Sequence, residues 1–265
     1  MSETNKVPER GGSVQSVKRA ATILRMFGQD SPELGVSEVG RRLHLHKSTA
    51  SRLLATLESE GFVERVPDSE KYRLGLKLLR LAGQTPRFSD LRSIALPLLR
   101  ELAERSGETV NLAVSDDDAV VNIEQVSGPH MVAGTNWIGR RTPLHCVANG
   151  KILLALRSRA DIDRVLAAPL VRSTARTLTG KTALRADLAR ARVQGYAVAL
   201  GEIEEGLHAV AAAIRDAQGR AIAAVSVSGP SYRMPPSAIE SFGRMSVETA
   251  ERISARLGAP ALAAS

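Results

Sequence analysis

The chain is poor in cysteine, in aromatic residues and in long apolar runs, and each shortage excludes a class of structure. Cys146 is the single cysteine among 265 residues, which rules out an intrachain disulfide and a multi-cysteine zinc site. Aromatic residues make up 3% of the chain, which disfavours a stacking platform for single-stranded nucleic acid. No run of about 18 apolar residues is present, so we expect no membrane span.

The N-terminal residues are also unlike a signal peptide. Residues 1–12 are polar and contain no apolar segment. We interpret them as a disordered arm. Together with the scarcity of cysteine, this composition leads us to expect a cytoplasmic protein.

The net charge of +8 favours a polyanionic partner, but the charge is not concentrated in one part of the chain. Residues 1–83 hold 14 Lys/Arg against 10 Asp/Glu, and the other residues carry the rest of the excess. Charge therefore supports nucleic-acid binding only weakly. The length and the hydrophobic content of 43% allow two ordinary domains, each with its own core.

Residues 47–61, KSTASRLLATLESEG, have the pattern of an amphipathic helix with a polar first turn. Apolar residues at i, i+3, i+4 and i+7 form a buried stripe: Ala50, Leu53, Leu54 and Leu57. Gly61 then ends the helix. The first turn supplies phosphate binders, hydroxyl groups and a guanidinium for a guanine edge. We expect DNA contacts from Lys47, Ser48, Thr49, Ser51 and Arg52.

The neighbouring segments complete a winged helix-turn-helix. Residues 36–46 predict a shorter helix and a tight turn, and a helix over residues 16–28 precedes them. Residues 62–75 alternate apolar and polar side chains around a turn at residues 67–69, as in a β-hairpin or wing. The first helix offers several apolar residues to the core: Val17, Ala20, Ala21, Ile23, Leu24 and Phe27.

Three further basic residues are candidates for clamping the DNA backbone. Arg19 lies on the first predicted helix, and Arg65 and Lys71 lie on the predicted wing. Taken singly, each is equally compatible with a solvated surface charge. As a group with the polar first turn, they predict binding to double-stranded DNA.

Residues 76–106 predict a linker. An apolar helix over residues 76–82 is followed by an interruption at residues 83–90, and then by a second helix with Ile94, Leu98 and Leu102 in register. Pro97 is expected to kink this second helix or to begin a new turn of it. We interpret the region as linker and dimerisation helices, although a helix that only packs on its own domain would show the same pattern.

Residues 107–260 have the alternating pattern of an α+β domain. Two strands flank the acidic sequence SDDDA, and later segments predict helices, a strand near residues 195–200 and a hairpin turned at residues 216–219. Consecutive aspartates in a strand turn cannot all converge on one cation, so we interpret them as a solvated turn and expect no metal. A closing helix is expected from Pro236 to about Leu257.

Several segments together closely resemble the IclR family of bacterial transcriptional regulators. They are VQSVKRAATILRMF, KSTASRLLATLESEGFVERV, YRLGLKLL, PLHCVANGK and EEGLHAVAAAIRDAQG with SVSGP. The resemblance runs from about Ser13 to Leu257, and its segments follow the family's order. It implies an N-terminal winged helix-turn-helix over residues 13–75, a linker helix and a C-terminal α+β, GAF-like effector-binding domain.

The resemblance also implies an effector pocket between the PLHCVANGK segment and the last strands. Helix-opening amides can bind a carboxylate, and serines two apart on a strand point to one face. A small organic acid is therefore the expected effector, although without the resemblance these serines would be ordinary strand residues. The predicted effector-binding residues are Cys146, Ala148, Asn149, Gly150, Ala199, Ala209, Ser226 and Ser228.

Several relatives carry a polar or acidic residue at the position of Ala199 and a cysteine or other small residue at the position of Ala209. We therefore expect an effector that is bulkier or less polar than a two- or three-carbon acid. The roles of two neighbours stay open. Lys151 is expected to pair with a ligand carboxylate or with a nearby glutamate, and Trp137 to cover the pocket or only to pack.

We expect no catalytic residues and no cofactor. His145 and Cys146 are adjacent in a segment expected to be extended, so their side chains would point to opposite sides and cannot form a dyad. Glu202, Glu204 and Glu205 lack a nucleophile or metal-ligand partner in the sequence pattern. We interpret them as a structural turn and a solvated face.

These expectations describe a regulator that binds a palindromic operator as a homodimer or a dimer of dimers and responds to a small acid. Two alternatives stay open. One is an enzyme with an accessory helix-turn-helix, and the other is a constitutive DNA-binding protein whose second domain only oligomerises. The sequence identifies neither the effector nor the target genes, nor whether binding activates or represses them.

Overall fold

A computed structural model of the protein describes residues 14–28, 31–83, 86–130 and 136–260, without the side chains of residues 82–89. The predicted disordered arm at residues 1–12 lies outside these ranges. The chain divides into two compact units, the first ending at Pro86 and the second beginning at Arg87. This division falls inside the predicted linker, whose boundaries at residues 76 and 106 stay predictions.

The first unit contains helices packed on a small antiparallel sheet. Its elements are α1 (Gln15–Met26), β1 (Leu34–Gly35), α2 (Val36–Arg42), α3 (Lys47–Ser59), β2 (Val63–Arg65), β3 (Lys71–Leu74) and α4 (Leu76–Gly83). The strand order is β1-β3-β2, so β2 and β3 form the predicted hairpin and β1 adds a strand that the sequence did not predict. His44 adopts a positive φ of 52° in the tight turn between α2 and α3.

The predicted apolar stripe of α3 is confirmed. Ala50, Leu54 and Leu57 are buried, and Leu53 packs against them. Two assignments on α1 were wrong, because Val17 is 66% exposed and Ala21 is also exposed. Val17 lines an open groove between α1 and α3. The stripe of α1 that reaches the core consists of Ala20, Ile23, Leu24 and Phe27. Ala21 lies about a quarter of a turn away from this stripe.

The second unit is built around an antiparallel sheet with helices on both faces. Its helices are α5 (Pro86–Ser106), α6 (Ala148–Ala155), α7 (Arg159–Ala167), α8 (Lys181–Gln194) and α9 (Ile239–Arg256). Its strands are β4 (Thr109–Asp116), β5 (Ala119–Val126), β6 (Arg141–Pro143), β7 (Tyr196–Leu200), β8 (Leu207–Arg215) and β9 (Ala221–Pro230). Within the described residues the strand order is β6-β5-β4-β9-β8-β7.

Each face of this sheet has its own hydrophobic core. On one face α5 and α9 pack on the larger core, which includes Val225 and Val227 of β9. On the other face α6 and α8 pack on a second core, which includes Ala224. Because side chains alternate along a strand, Ser226 and Ser228 face the α6 side. The predicted opposite orientation of the valines and serines is therefore confirmed.

Several element boundaries differ from the predictions. Helix α5 begins at Pro86, inside the predicted interruption, because proline is favourable in the first turn of a helix. The same helix continues through Pro97. Helix α7 was not predicted, and the side chain of its N-cap Ser158 accepts a hydrogen bond from the amide of Asp161. The predicted acidic turn lies between β4 and β5.

The aspartates of this turn face a cation rather than only solvent. Arg141 contacts Asp116 at 2.7 Å and Asp118 at 2.6 Å. This ion pair ties the turn to β6. No helix in the described ranges is long and apolar enough to cross a membrane.

A buried ion cluster joins α6 to the segment after β7. Lys151 is fully buried, and its Nζ lies 2.5 Å from Glu202 Oε1 and 2.9 Å from Asp187 Oδ2. The same ammonium donates a hydrogen bond to the carbonyl of Val198 at 3.0 Å. Burial raises the pKa of Glu202, and the neighbouring Lys151 ammonium opposes that rise.

The interpretation of Glu202 as part of a solvated face was therefore wrong, because its carboxylate turns inward to a lysine from a distant part of the chain. Glu204 and Glu205 are exposed as expected. Of the two roles considered for Lys151, pairing with a nearby glutamate is confirmed.

Replacing the buried ammonium tests this cluster. Lys151→Met leaves the buried Glu202 carboxylate without its cation, while the half-buried Asp187 keeps its ion pair with Arg190, so we expect a loss of about 3–5 kcal/mol in the free energy of unfolding of the second unit. Trp137 is the chain's single tryptophan, so its fluorescence during urea denaturation reports that unit alone. The control Lys181→Met removes the same charge from an exposed position. Equal midpoints for the two variants would contradict the prediction.

Candidate functional site

The first two turns of α3 present a cluster of exposed polar groups. Lys47, Ser48, Ser51 and Arg52 are exposed and Thr49 is half-buried. Within the described residues, none of these side chains forms a hydrogen bond or an ion pair. The carbonyl of His46 accepts the first hydrogen bonds of α3, from the amides of Thr49 and Ala50. The helix therefore begins directly after the tight turn from α2, and the cluster lies at its N-terminal end.

The other predicted DNA-contacting residues differ in whether their charged groups already have a partner. Arg65 lies 3.2 Å from Glu58 and 5.2 Å from the centre of the Tyr72 ring, so its guanidinium is already engaged. Lys71 is exposed on β3, and Arg19 lines the groove between α1 and α3 together with Arg52. The structure thus brings Arg19 close to the α3 cluster and keeps Arg65 in an internal pair.

A partly enclosed cavity lies in the second unit, between the sheet and the start of α6. Its cavity volume is about 50 Å³, and about 500 Å³ of empty space is counted when its open mouth is included. Residues from six strands and from the start of α6 meet there. The lining residues are Asn111, Val120, Asn122, Trp137, Thr142, Val147, Ala148, Asn149, Ala199, Ile203, Leu207, Ala209, Ser226 and Ser228.

Most of the predicted effector-binding residues meet in this cavity. Ala148 and Asn149 lie in the first turn of α6, whose leading amides have no partner within the helix. Ala199 and Ala209 are paired across β7 and β8, and their small side chains leave space above the sheet. Ser226 and Ser228 approach from β9.

Two predicted residues do not line the cavity. Cys146 is fully buried, its thiol donates to the carbonyl of Pro143 at 3.4 Å, and burial raises its pKa to about 11. Gly150 faces the backbone of Leu144, where a Cβ would overlap the carbonyl oxygen. Gly150 therefore permits a close approach that places the first turn of α6, and it does not itself face the cavity.

Asparagines are the main lining residues that sequence reasoning missed. Asn111 and Asn122 lie on β4 and β5, in the otherwise apolar sequences TVNLAV and AVVNIEQV. An isolated amide in a buried strand was the available signal, since such a group requires a hydrogen-bond partner. Thr142, Ile203 and Leu207 complete the lining that was not predicted.

The lining is uncharged and mixed, with six polar and eight apolar residues. Among the described residues that line the cavity there is no Asp, Glu, Lys, Arg or His. Two asparagine oxygens, Oδ1 of Asn111 and Oδ1 of Asn149, are buried and have no hydrogen-bond partner within the described part of the chain. The hydroxyl of Ser226 likewise makes no hydrogen bond among these residues. The cavity therefore offers two hydrogen-bond acceptors and a hydroxyl group to a small molecule.

Trp137 lies at the border of the cavity. Its indole lines both the cavity and an outer groove, and the Arg140 guanidinium lies 4.6 Å from the centre of its ring. Its amide donates a hydrogen bond to Gln125 Oε1 at 2.9 Å. This placement favours the covering role over simple packing.

His145 and Cys146 do not form a dyad. They lie in a short 3-10 turn, Leu144–Cys146, rather than in the extended segment that was expected. His145 Nε2 is 2.8 Å from the carbonyl oxygen of Val171, while the Cys146 thiol contacts Pro143. The two side chains therefore have separate partners, and the raised pKa keeps the thiol protonated near neutral pH.

Both units match described protein families. Residues 16–67 match the family described as IclR helix-turn-helix domain. Residues 86–255 match the family described as bacterial transcriptional regulator IclR C-terminal. The chain is 36% identical to the HTH-type transcriptional regulator KdgR of Escherichia coli over 247 residues, covering 93% of this chain and 94% of that protein. It is 32% identical to the transcriptional repressor IclR of Escherichia coli, over 93% of this chain and 91% of that protein.

A solved structure supports the same assignment. An IclR homologue from Microbacterium hydrocarbonoxydans, crystallised in complex with 4-hydroxybenzoate, superposes with a TM-score of 0.82 at 33% identity, covering 91% of this chain and 98% of that one. The resemblance found in the sequence is thus confirmed over both units. The chain belongs to the IclR family of bacterial transcriptional regulators.

Proposed function

We propose that this regulator reads a palindromic DNA operator with α3 and controls that binding through a small organic acid held in the cavity of the second unit. The observation that carries the proposal is the combination of an exposed polar cluster on a helix-turn-helix, without partners among the described residues, with a partly enclosed, uncharged cavity of mixed polar and apolar lining in a separate unit. The first suits DNA and the second suits a small polar ligand.

For DNA binding, α3 is the recognition helix and the β2–β3 hairpin acts as a wing. Lys47 and Arg52 project from the first two turns of α3, where side chains reach base edges, and the leading helical amides face phosphate. Lys71 on the hairpin and Arg19 on α1 bind backbone phosphates on either side. Arg65 joins them when phosphate replaces Glu58.

Removing Arg52 tests the recognition helix. We expect Arg52→Ala to cost about 1–3 kcal/mol of specific binding and to relax the preference for one base pair. Fluorescence anisotropy on duplexes recovered by in vitro selection with the unmodified protein measures both effects. The control Arg164→Ala removes the same charge from an exposed position in the second unit. Unchanged affinity and sequence preference in Arg52→Ala would contradict this use of α3.

For effector binding, the second unit acts as a GAF-like domain that encloses a carboxylic acid. The leading amides of α6 receive the carboxylate, and Ser226 donates a hydroxyl from the opposite wall. Ala199, Ala209 and Trp137 supply an apolar surface, which favours an acid bulkier than glyoxylate or pyruvate. The aromatic acid bound by the Microbacterium homologue supports this choice of ligand class.

A thermal-shift screen against aliphatic and aromatic carboxylic acids tests this assignment. A ligand at a hundred times its Kd stabilises the folded state by about 2.7 kcal/mol, which raises the melting temperature by several degrees. We expect Ser226→Ala to reduce this shift and the exposed control Ser237→Ala to preserve it. A complete lack of response to acids would leave a constitutive DNA-binding protein as the better description.

Self-association is proposed through the exposed apolar face of α4. Leu76 is 67% exposed and Leu79 is 69% exposed, and they lie three residues apart on one side of the helix. Two exposed leucines on one face of a helix favour burial against a second copy of the chain. A two-fold symmetric pair of recognition helices would then match the symmetry of a palindromic operator.

Polar replacements on α4 test this interface. Leu76→Gln combined with Leu79→Gln should raise the dimer dissociation constant by at least about tenfold, since each leucine contributes about 1.5–3 kcal/mol when fully buried. Sedimentation velocity across a concentration series measures the change. The control Val193→Gln alters a residue that is 90% exposed in the second unit. Identical association of both variants would exclude α4 from the interface.

The effector acts by shifting an equilibrium between two arrangements of the DNA-binding units. It can do so only if its affinity differs between those arrangements, and DNA binding must then change effector affinity by the same factor. We also propose that the protein is not an enzyme and that it acts in the cytoplasm. The separate partners of His145 and Cys146 support a role without covalent chemistry.

A further inference from the structure

We propose that the cavity selects hydroxylated carboxylic acids, and that Asn111 is the residue that recognises the hydroxyl group. This inference rests on the proposed function, because it specifies the effector of the same cavity. It starts from two buried amide oxygens, since Asn111 is 4% exposed and Asn149 is 7% exposed while both face the cavity. Such groups are costly to bury without a partner.

Hydrogen bonds fix the orientation of the Asn111 amide. The Ser228 hydroxyl donates to the carbonyl of Thr109 at 3.4 Å, so its oxygen is free to accept. Asn111 Nδ2 donates to that oxygen at 3.1 Å. The amide nitrogen donates one of its two hydrogens to Ser228, and Oδ1 is the atom left without any partner among the described residues. An acceptor in this position requires a hydrogen-bond donor from the ligand.

A second acceptor lies near the start of α6. Asn149 Nδ2 donates to Asn122 Oδ1 at 3.4 Å, which leaves Asn149 Oδ1 without a partner among the described residues. Both free atoms are thus acceptors, while a carboxylate is itself acceptor-only. A simple acid would satisfy the amides of α6 and would leave both asparagine oxygens unpaired. A hydroxyl group on the acid supplies the hydrogen-bond donor that Asn111 Oδ1 lacks.

The distribution of charge orients this ligand. The outer groove continues from the cavity through Trp137, Leu207 and Ser228, and its charged lining is Glu204, Glu205 and the Glu108–Arg233 ion pair. Arg140 stacks on Trp137 beside it. The two exposed glutamates outnumber this one arginine, so the groove disfavours a ligand carboxylate at the mouth. The acid group therefore points to the amides of α6. A hydroxyl at the other end of the ligand then reaches Asn111, which is bonded to Ser228 at the boundary of the two spaces.

A hydroxyl fits better than an ammonium group as the donor. An ammonium would also donate to the asparagine oxygens, but none of the described lining residues carries a carboxylate to balance its charge. Burial of an unpaired cation is far more costly than burial of a hydroxyl that gains a hydrogen bond. Amino acids are therefore expected to bind more weakly than hydroxy acids of the same skeleton.

Matched ligand pairs test the proposal on the full-length protein. The probes are 4-hydroxybenzoate and benzoate, 6-hydroxyhexanoate and hexanoate, and the corresponding amino acids and neutral alcohols. Affinities come from calorimetry and from the fluorescence of Trp137, which lines the cavity. We expect the hydroxy acid of at least one pair to bind about tenfold or more tightly than its deoxy partner, because the deoxy acid leaves Asn111 Oδ1 unpaired.

Two variants assign this preference to Asn111. Asn111→Leu removes the acceptor at similar volume, so the hydroxy acid should fall to the affinity of its deoxy partner while the deoxy acid changes little. Asn111→Val also removes the acceptor and should lose the preference in the same way. The melting temperature of each variant without ligand shows whether it is folded, and the Val variant serves if the Leu variant is not.

The possible failures are distinguishable. Equal affinity for hydroxy and deoxy acids in the unmodified protein would overturn this inference and leave the proposed acid effector in place. Persistence of the hydroxyl preference in folded Asn111→Leu would overturn the assignment to this residue. Tighter binding of the neutral alcohols or the amino acids would overturn the ligand class. Binding of no acid at all would overturn the proposed function as well.

Discussion

The geometry of the second unit depends on the contacts that the buried ammonium of Lys151 makes. This ammonium joins α6 to β7 and to Glu202, and hydroxyls of Thr174 and Thr177 hold the same segment through the carbonyls of Gly201 and Glu202. The segment then places Ile203 and Leu207 in the cavity wall, while α6 places its first turn opposite. One ion cluster therefore sets the distance between two walls that have no covalent connection nearby.

The two faces of the sheet carry side chains of different size. The α5–α9 face carries large apolar residues such as Val225, Val227 and Leu112. The α6 face carries alanines at 199, 209, 211 and 224, of which Ala199 and Ala209 leave space in the cavity beside the serines. Because the two sets alternate along the same strands, the cavity can change its specificity with little change in the larger core.

Local patterns were predictable from the sequence, and long-range partners were not. The stripe of α3, the β2–β3 hairpin and the opposite orientations of Val225 and Ser226 follow from helical or strand periodicity alone. The burial of Glu202 depends on a lysine 51 positions away, which no local pattern contains. The orientations of Cys146 and Gly150 depend on a 3-10 turn, and the role of Asn111 depends on the pairing of β4 with β9.

The internal pair of Arg65 and Glu58 has a consequence for the ionic-strength dependence of DNA binding. An arginine that is free in solution contributes through the displacement of condensed cations from the phosphates it neutralises, and this produces the slope of affinity against salt. Arg65 must first give up a carboxylate, which then faces the same polyanion. If Arg65 joins the DNA contacts as proposed, its net contribution to that slope is therefore smaller than that of Lys47 or Arg52, and the proposed hairpin contact adds little to the salt sensitivity of binding.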